Sequence, residues 1–188
     1  MRFRPARPDD ADQVVPLIHD SSRALIDATF GAGLVRRDFL RGRGLFGYRQ
    51  QLVGLVGDEI AVTITAYAGR RCRQLSLHTL GSAAVHFGPR DLARALRRSA
   101  PVARLFAPPS PDGVFLANLC VAPGHRGRGY GTRAIEHAVA ASGARLAELD
   151  VSASNPDAER LYARLGFAVT GERSAPGLDG FRRMQHRR

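Results

Sequence analysis

The sequence predicts an α/β domain: a mixed, mostly antiparallel central sheet with one parallel strand pair and helices on both faces. Three observations predict it. An apolar run of strand length at 114–121 and a second strand at 145–151 flank a helix-like stretch, and a helical crossover makes the two strands parallel and right-handed. Hairpin-like pairs at 51–67 and 169–186 precede and follow that unit, and hairpins run antiparallel. A chain of 188 residues, 44% of them hydrophobic, suffices for one compact core, so residues 1–188 read as a single domain.

In chain order, residues 2–6 read as a first strand. Residues 9–19 follow as a helix, with acids in the first turn and Val14, Val15, Leu17 and Ile18 apolar. Residues 21–30 are a second helical stretch, and 38–43 are ambiguous. Residues 51–56 and 60–67 flank Gly57-Asp58-Glu59 as a hairpin. The segment 69–112 is longer than a connection to the next strand requires. It reads as a helical insertion, with helices at 75–87 and 90–99 and a Pro-rich loop at 106–113; beside the 114–121 strand it is expected to act as a substrate lid. After the parallel unit, residues 169–173 and 181–186 close the sheet around the turn 177–180.

The chemistry starts where the 114–121 strand ends at Pro123-Gly124. Arg126-Gly127-Arg128-Gly129-Tyr130-Gly131 places three glycines at alternate positions among two guanidinium groups. A helix follows with Ile135, Ala138, Val139 and Ser142 on one stripe. Glycines admit a close ligand, and a helix start offers unpaired N–H groups and a positive dipole end, so the segment reads as a diphosphate site. A P-loop needs Gly-Lys-Ser/Thr, and the chain has no lysine. A dinucleotide fingerprint fits Gly129-Tyr130-Gly131-Thr132-Arg133-Ala134, with Asp150 about 20 residues on. Against it, Ala122 to Arg128 separate strand from glycines, and only 38 residues follow Asp150 for further strand–helix units. A glycine-rich turn that binds nothing is the third reading.

The next unit, 145–167, reads as strand, loop, helix and stop. Asn155 is a natural N-cap, Pro156 fits the first helical position, Gly166 ends the helix, and Ala158, Leu161 and Leu165 form its buried stripe. Tyr162 lies two turns after Asn155 on nearly the same side, where its ring can pack while its hydroxyl reaches a cleft. Together the two units, with R-G-R-G-Y-G and then N-P-x-A-x-x-L-Y-x-x-L-G-F, resemble the GNAT superfamily of acetyl-CoA-dependent N-acyltransferases. The resemblance is specific over 114–167. It implies that the two parallel strands splay apart and that pantetheine completes the sheet between them. It also implies that backbone amides of Arg126, Gly127, Arg128, Gly129, Tyr130, Gly131 and Thr132 bind the CoA pyrophosphate. Leu119, Cys120 and Val121 would lend backbone groups to pantetheine and the thioester carbonyl, Asn155 would touch the pantetheine arm, and Tyr162 would protonate the departing thiolate.

The implied function is N-acetyl transfer from acetyl-CoA directly to a primary amine on a small molecule or peptide. Many relatives carry a carboxylate on the strand before the loop; here that strand reads Phe115-Leu116-Ala117-Asn118-Leu119-Cys120, and Asn118 cannot act as a base. Asp150, His78 and His86 are the other candidates, beside a water chain or a substrate already deprotonated. The missing carboxylate keeps a non-catalytic acyl-CoA-binding module open as an alternative. Cys120 has no helper His at recognisable spacing and reads as a small buried apolar residue.

The formal charge is +11, and all 28 basic residues are arginine. The arginines are dispersed and no aromatic-rich RNA motif accompanies them, so nucleic acid is not an expected partner, though the field favours polyanionic CoA. Cys72 and Cys120 make no disulfide framework, and the histidines show no metal-ligand spacing, so a reducing cytoplasm and no metal are expected. No run approaches a membrane span, and self-association as a homodimer is left open.

Overall fold

The computed structural model describes residues 1–29, 31–175 and 178–188. Seven strands form one sheet: β1 (Arg2–Pro5), β2 (Gln51–Val56), β3 (Glu59–Ala68), β4 (Val114–Val121), β5 (Leu146–Ser152), β6 (Ala168–Ala175) and β7 (Leu178–Arg187). Their spatial order is β1-β2-β3-β4-β5-β7-β6, and every neighbouring pair is antiparallel except the parallel β4–β5. The helices are α1 (Ala11–Ser21), α2 (Arg23–Thr29), α3 (Gly31–Arg41), α4 (Cys72–His86), α5 (Pro89–Ala103), α6 (Tyr130–Ser142) and α7 (Pro156–Arg164). Among the described residues no helix is long and apolar enough to cross a membrane.

Strand alternation gives the sheet two apolar faces, and helices cover both. On one, Val14 and Ile18 of α1 and Val35 and Phe39 of α3 pack with Val53, Leu55 and Ile60. On the other, Val62, Ile64, Leu116, Leu149 and Met184 meet Ile135 and Ala138 of α6, with Leu161, Tyr162 and Leu165 at the half-buried edge. The entry to α1 is fixed by Asp10, which accepts from Arg4 at 2.7 and 2.8 Å and from the Arg7 amide at 2.7 Å. Those contacts hold the Asp10 carboxyl below its ordinary value, the Arg4 hydrogen bond foremost.

The expected elements are present, with two differences. The ambiguous stretch at 38–43 holds the end of α3, an eleven-residue helix that stops at Arg41, and the turn after it. Gly31 and Gly33 and the Arg36-Arg37 pair dilute its pattern, yet it buries Leu34, Val35, Asp38 and Phe39. Asp38 is 1% exposed and accepts from Thr79 Oγ1 of α4 at 2.8 Å, which locks the insertion onto α3; burial raises its carboxyl above the ordinary value. The expected 21–30 helix is α2 over Arg23–Thr29, since Ser21 ends α1 and Ser22 caps it, and Phe30 lies outside the described residues; the turn at 177–180 likewise includes Gly177, which lies outside them.

The insertion is fastened at its far end. Gly69 leaves no room for a side chain, since a Cβ there would stand 2.0 Å from the Ser110 carbonyl oxygen. The Ser110 amide donates to Glu148 Oε2 at 2.6 Å, and Arg183 Nη2 donates to the Ala107 carbonyl at 2.7 Å. Glu148 is 1% exposed and also accepts from Gln185 Nε2 at 2.8 Å. Glu148→Ala leaves two half-buried donors without their acceptor, so it is expected to cost about 1–3 kcal/mol. In a chain of this size that lowers the melting temperature by roughly 2–4 °C per kcal/mol. Thermal unfolding checks it, and an unchanged midpoint contradicts the fastening.

Candidate active site

The site begins at a fork in the sheet. The β4–β5 ladder holds only Val114↔Ala147, Phe115↔Glu148 and Leu116↔Leu149; beyond them β4 follows β3 while β5 follows β7. A bulge in β4 accompanies the divergence. Thr65 pairs with Ala117 and Thr63 with Cys120, so two residues of β4 oppose one of β3. Asn118 sits in the bulge at φ 48°, a left-handed conformation that asparagine tolerates better than most residues. Bulges bend and twist the strand that carries them. At the fork lies a cavity lined by Leu116, Asn118, Leu119, Asp150 and Tyr162 among others. The edge of β4 that faces this opening pairs with no strand among the described residues.

The loop beyond β4 continues from that free edge. Pro123–His125 makes one tight turn, and Gly127 and Gly129 stand at φ 75° and 73°, where other residues are strained. A Cβ on either would meet nothing within 4 Å, so that side of the loop faces open space. Gly129 is the N-cap of α6, and no side chain caps that helix, which leaves its first amides available to an anion. Gly131 differs: a Cβ there would touch Leu161, Val121 and Leu119 at 3.6–3.8 Å, so the first turn of α6 rests on β4 and α7. Arg126 and Arg128 are exposed, and Arg126 Nε donates to the Val121 carbonyl at 3.2 Å. Tyr130 and Thr132 are half-buried. Buried His125, which sequence reasoning did not single out, pins the turn through Nε2 to Glu59 at 3.0 Å.

Tyr162 reaches the fork from α7, its ring 6.1 Å from Phe167. Burial pushes its phenol up to about 12, so the hydroxyl stays protonated through the neutral range. Asn155 caps α7, its side-chain oxygen accepting from the Ala158 amide at 3.1 Å; its NH₂ is not spent on the cap. Leu119 and Val121 pack on the α6 side and Cys120 on the α1 side. Burial pushes the Cys120 thiol up, so it stays a neutral, apolar group.

Of the base candidates, only Asp150 comes to the fork. His78 and His86 are exposed on α4 and do not line the cavity. Asn118 belongs to a polar chain that crosses three strands: its Nδ2 donates to Thr65 Oγ1 at 3.1 Å, and Thr65 donates to Gln51 Oε1 at 2.9 Å. No spacing in the sequence announces that chain, because its members are far apart and meet only through strand pairing.

Residues 78–167, from α4 through the end of α7, match the acetyltransferase (GNAT) family. The matched stretch, just under half of the chain, is similar to GNAT acetyltransferases. No curated protein matches the sequence. An N-acetyltransferase from Staphylococcus aureus superposes with a TM-score of 0.74 at 16% identity, over 98% of this chain and 100% of that one. A second acetyltransferase gives 0.72 at 20% identity, over 100% and 99%. A ribosomal-protein-alanine N-acetyltransferase from Brucella melitensis gives 0.59 at 15% identity, over 100% and 99%. At these identities the likeness concerns the fold.

Proposed function

We propose that the chain transfers the acetyl group of acetyl-CoA directly to a primary amine, with residues 1–188 acting as one catalytic domain. The observation that carries this reading is the continuity of the free β4 edge, the left-handed Gly127 and Gly129, and the uncapped start of α6. An extended arm ending in a diphosphate fits such a path: backbone groups of Leu119, Cys120 and Val121 pair with the arm, and amides of Gly127 to Thr132 receive the phosphates. Arg126 and Arg128 supply positive charge beside them, and Asn155 offers its NH₂ to the arm from the start of α7.

Acetyl-CoA supplies the activated thioester. Amide N–H groups of β4 stabilise the oxyanion formed when the amine adds, an effect worth about 3–4 kcal/mol where one such donor is lost. Tyr162, held protonated by burial, donates to the sulfur as the C–S bond breaks. Acceptors in reach of this chemistry are small-molecule and peptide amines, and the two free cysteines suit a cytoplasmic enzyme.

Purified protein incubated with acetyl-CoA and a panel of primary amines (methylamine, benzylamine, spermidine and a glycyl peptide) is expected to release thiol and yield an acetylated amine by mass. Acetyl-CoA binding without turnover on any amine would favour the non-catalytic module, the alternative that Asn118 in place of a carboxylate supports.

A further inference from the structure

We propose that Asp150 takes the proton from the acceptor amine, so that the base of this site stands on β5 at the fork and not on β4. The inference rests on the acetyl-transfer reading above. Position carries it first. The last β4–β5 pair is Leu116↔Leu149, which makes Asp150 the first β5 residue past the end of the ladder. It lines the same cavity as Asn118 and Tyr162. Leu149 and Val151 face α6 and α7, so alternation turns the Asp150 side chain to the opposite face. The acid and the base therefore approach the fork from opposite sides of the sheet.

Chemistry carries it next. At this level β4 offers only Asn118, whose amide is engaged with Thr65 and which cannot take a proton. Asp150 is held in place: Arg183 Nε and Nη2 donate to its two oxygens at 2.6 and 3.0 Å. Arg183 is in turn tied to the Ala107 carbonyl and lies 5.2 Å from the Phe115 ring centroid. Each carboxylate oxygen keeps a further lone pair for an ammonium proton. Two carboxylates, Glu148 and Asp150, share this one guanidinium, with Glu148 at 3.6 Å, so the cluster favours a cation. The other titratable groups facing it are Arg173 of β6, Tyr67 of β3 and, beyond Tyr67, Cys72 of α4. Burial raises the Asp150 carboxyl above its ordinary value although Arg183 opposes the shift, which brings it nearer to a working base.

The step balances. Asp150 accepts a proton from the ammonium, and the freed nitrogen lone pair forms the C–N bond at the thioester carbonyl. The C–S bond breaks with its electron pair on sulfur, and Tyr162 protonates the thiolate. The second nitrogen proton, lost on collapse, restores the phenol through solvent, and Asp150 returns its proton to solvent. The products are amide, CoA thiol and one proton.

The test is the pH dependence of thiol release from acetyl-CoA, with the amine panel above and with water alone as acceptors, in wild type and Asp150→Asn. Calorimetric acetyl-CoA binding and a melting curve accompany each protein. The Asn variant is expected to bind acetyl-CoA as wild type does, to lose about 10²–10⁴-fold in kcat/KM, and to lose the acidic limb of the profile. An Asn variant that keeps the wild-type limb and rate overturns the proposal. So does a wild-type protein that binds acetyl-CoA yet releases thiol to no acceptor. Failure to bind acetyl-CoA instead overturns the acetyl-transfer reading itself. Should the Asn variant not fold, Asp150→Glu carries the test: a reduced rate with the acidic limb retained supports the base, and an unchanged rate contradicts it.

Discussion

Tyr162→Phe is expected to lower kcat for acetyl transfer by about 10²–10⁴-fold, the range of a general acid, while leaving acetyl-CoA affinity unchanged. The substitution removes one hydroxyl and keeps the ring that packs beside Phe167. A loss confined to the transition state lowers kcat and kcat/KM together. The phenol is pushed up to about 12 by burial, so it keeps its proton across the neutral and mildly alkaline range. Turnover of the wild type is therefore expected to show no alkaline fall from this group short of that value. Steady-state kinetics across a full pH profile checks both statements, and a variant as fast as wild type throughout ends the role of Tyr162 as acid.

Gly129→Val is expected to weaken acetyl-CoA binding by at least roughly tenfold. The position has φ 73°, where an L side chain costs about 1–2 kcal/mol, and a β-branched one fits worst. Its Cβ would meet no protein atom, so the harm lies in backbone strain and in a side chain placed in the space the loop keeps open. Displacing one or two charge-assisted hydrogen bonds of about 1.5–3 kcal/mol each lowers affinity by at least roughly tenfold. Gly131→Ala is the matched control. Its Cβ would make ordinary contacts at 3.6–3.8 Å, so binding is expected to survive. Titration of both variants with acetyl-CoA separates them, and equal affinities contradict the account of the loop.

What the sequence made legible was local. The 114–121 run, the alternating glycines, the Asn155 cap and the Gly166 stop, at φ 83°, each declare themselves within a few residues of chain. The fork itself came from family resemblance, because where the β4–β5 ladder ends is set by pairings with β3 and β7 that no window of sequence contains. The bulge is invisible for the same reason: Asn118 takes φ 48° only because Thr63 and Thr65 set the register opposite it. The Asp150–Arg183 pair joins residues brought side by side by β5–β7 pairing, so the sequence offers Asp150 as a base candidate beside His78 and His86 without its partner. Buried acids such as Asp38 and Glu148 were equally hidden, since a carboxylate in sequence reads as surface until its partners are placed.

The central claim is that the fork and the loop beyond it hold acetyl-CoA. Calorimetric titration of the purified protein with acetyl-CoA, dephospho-CoA and NAD tests it most directly. Saturable binding of acetyl-CoA and dephospho-CoA, with NAD silent, is the predicted result. Silence for both CoA forms, or binding of NAD in their place, would contradict it.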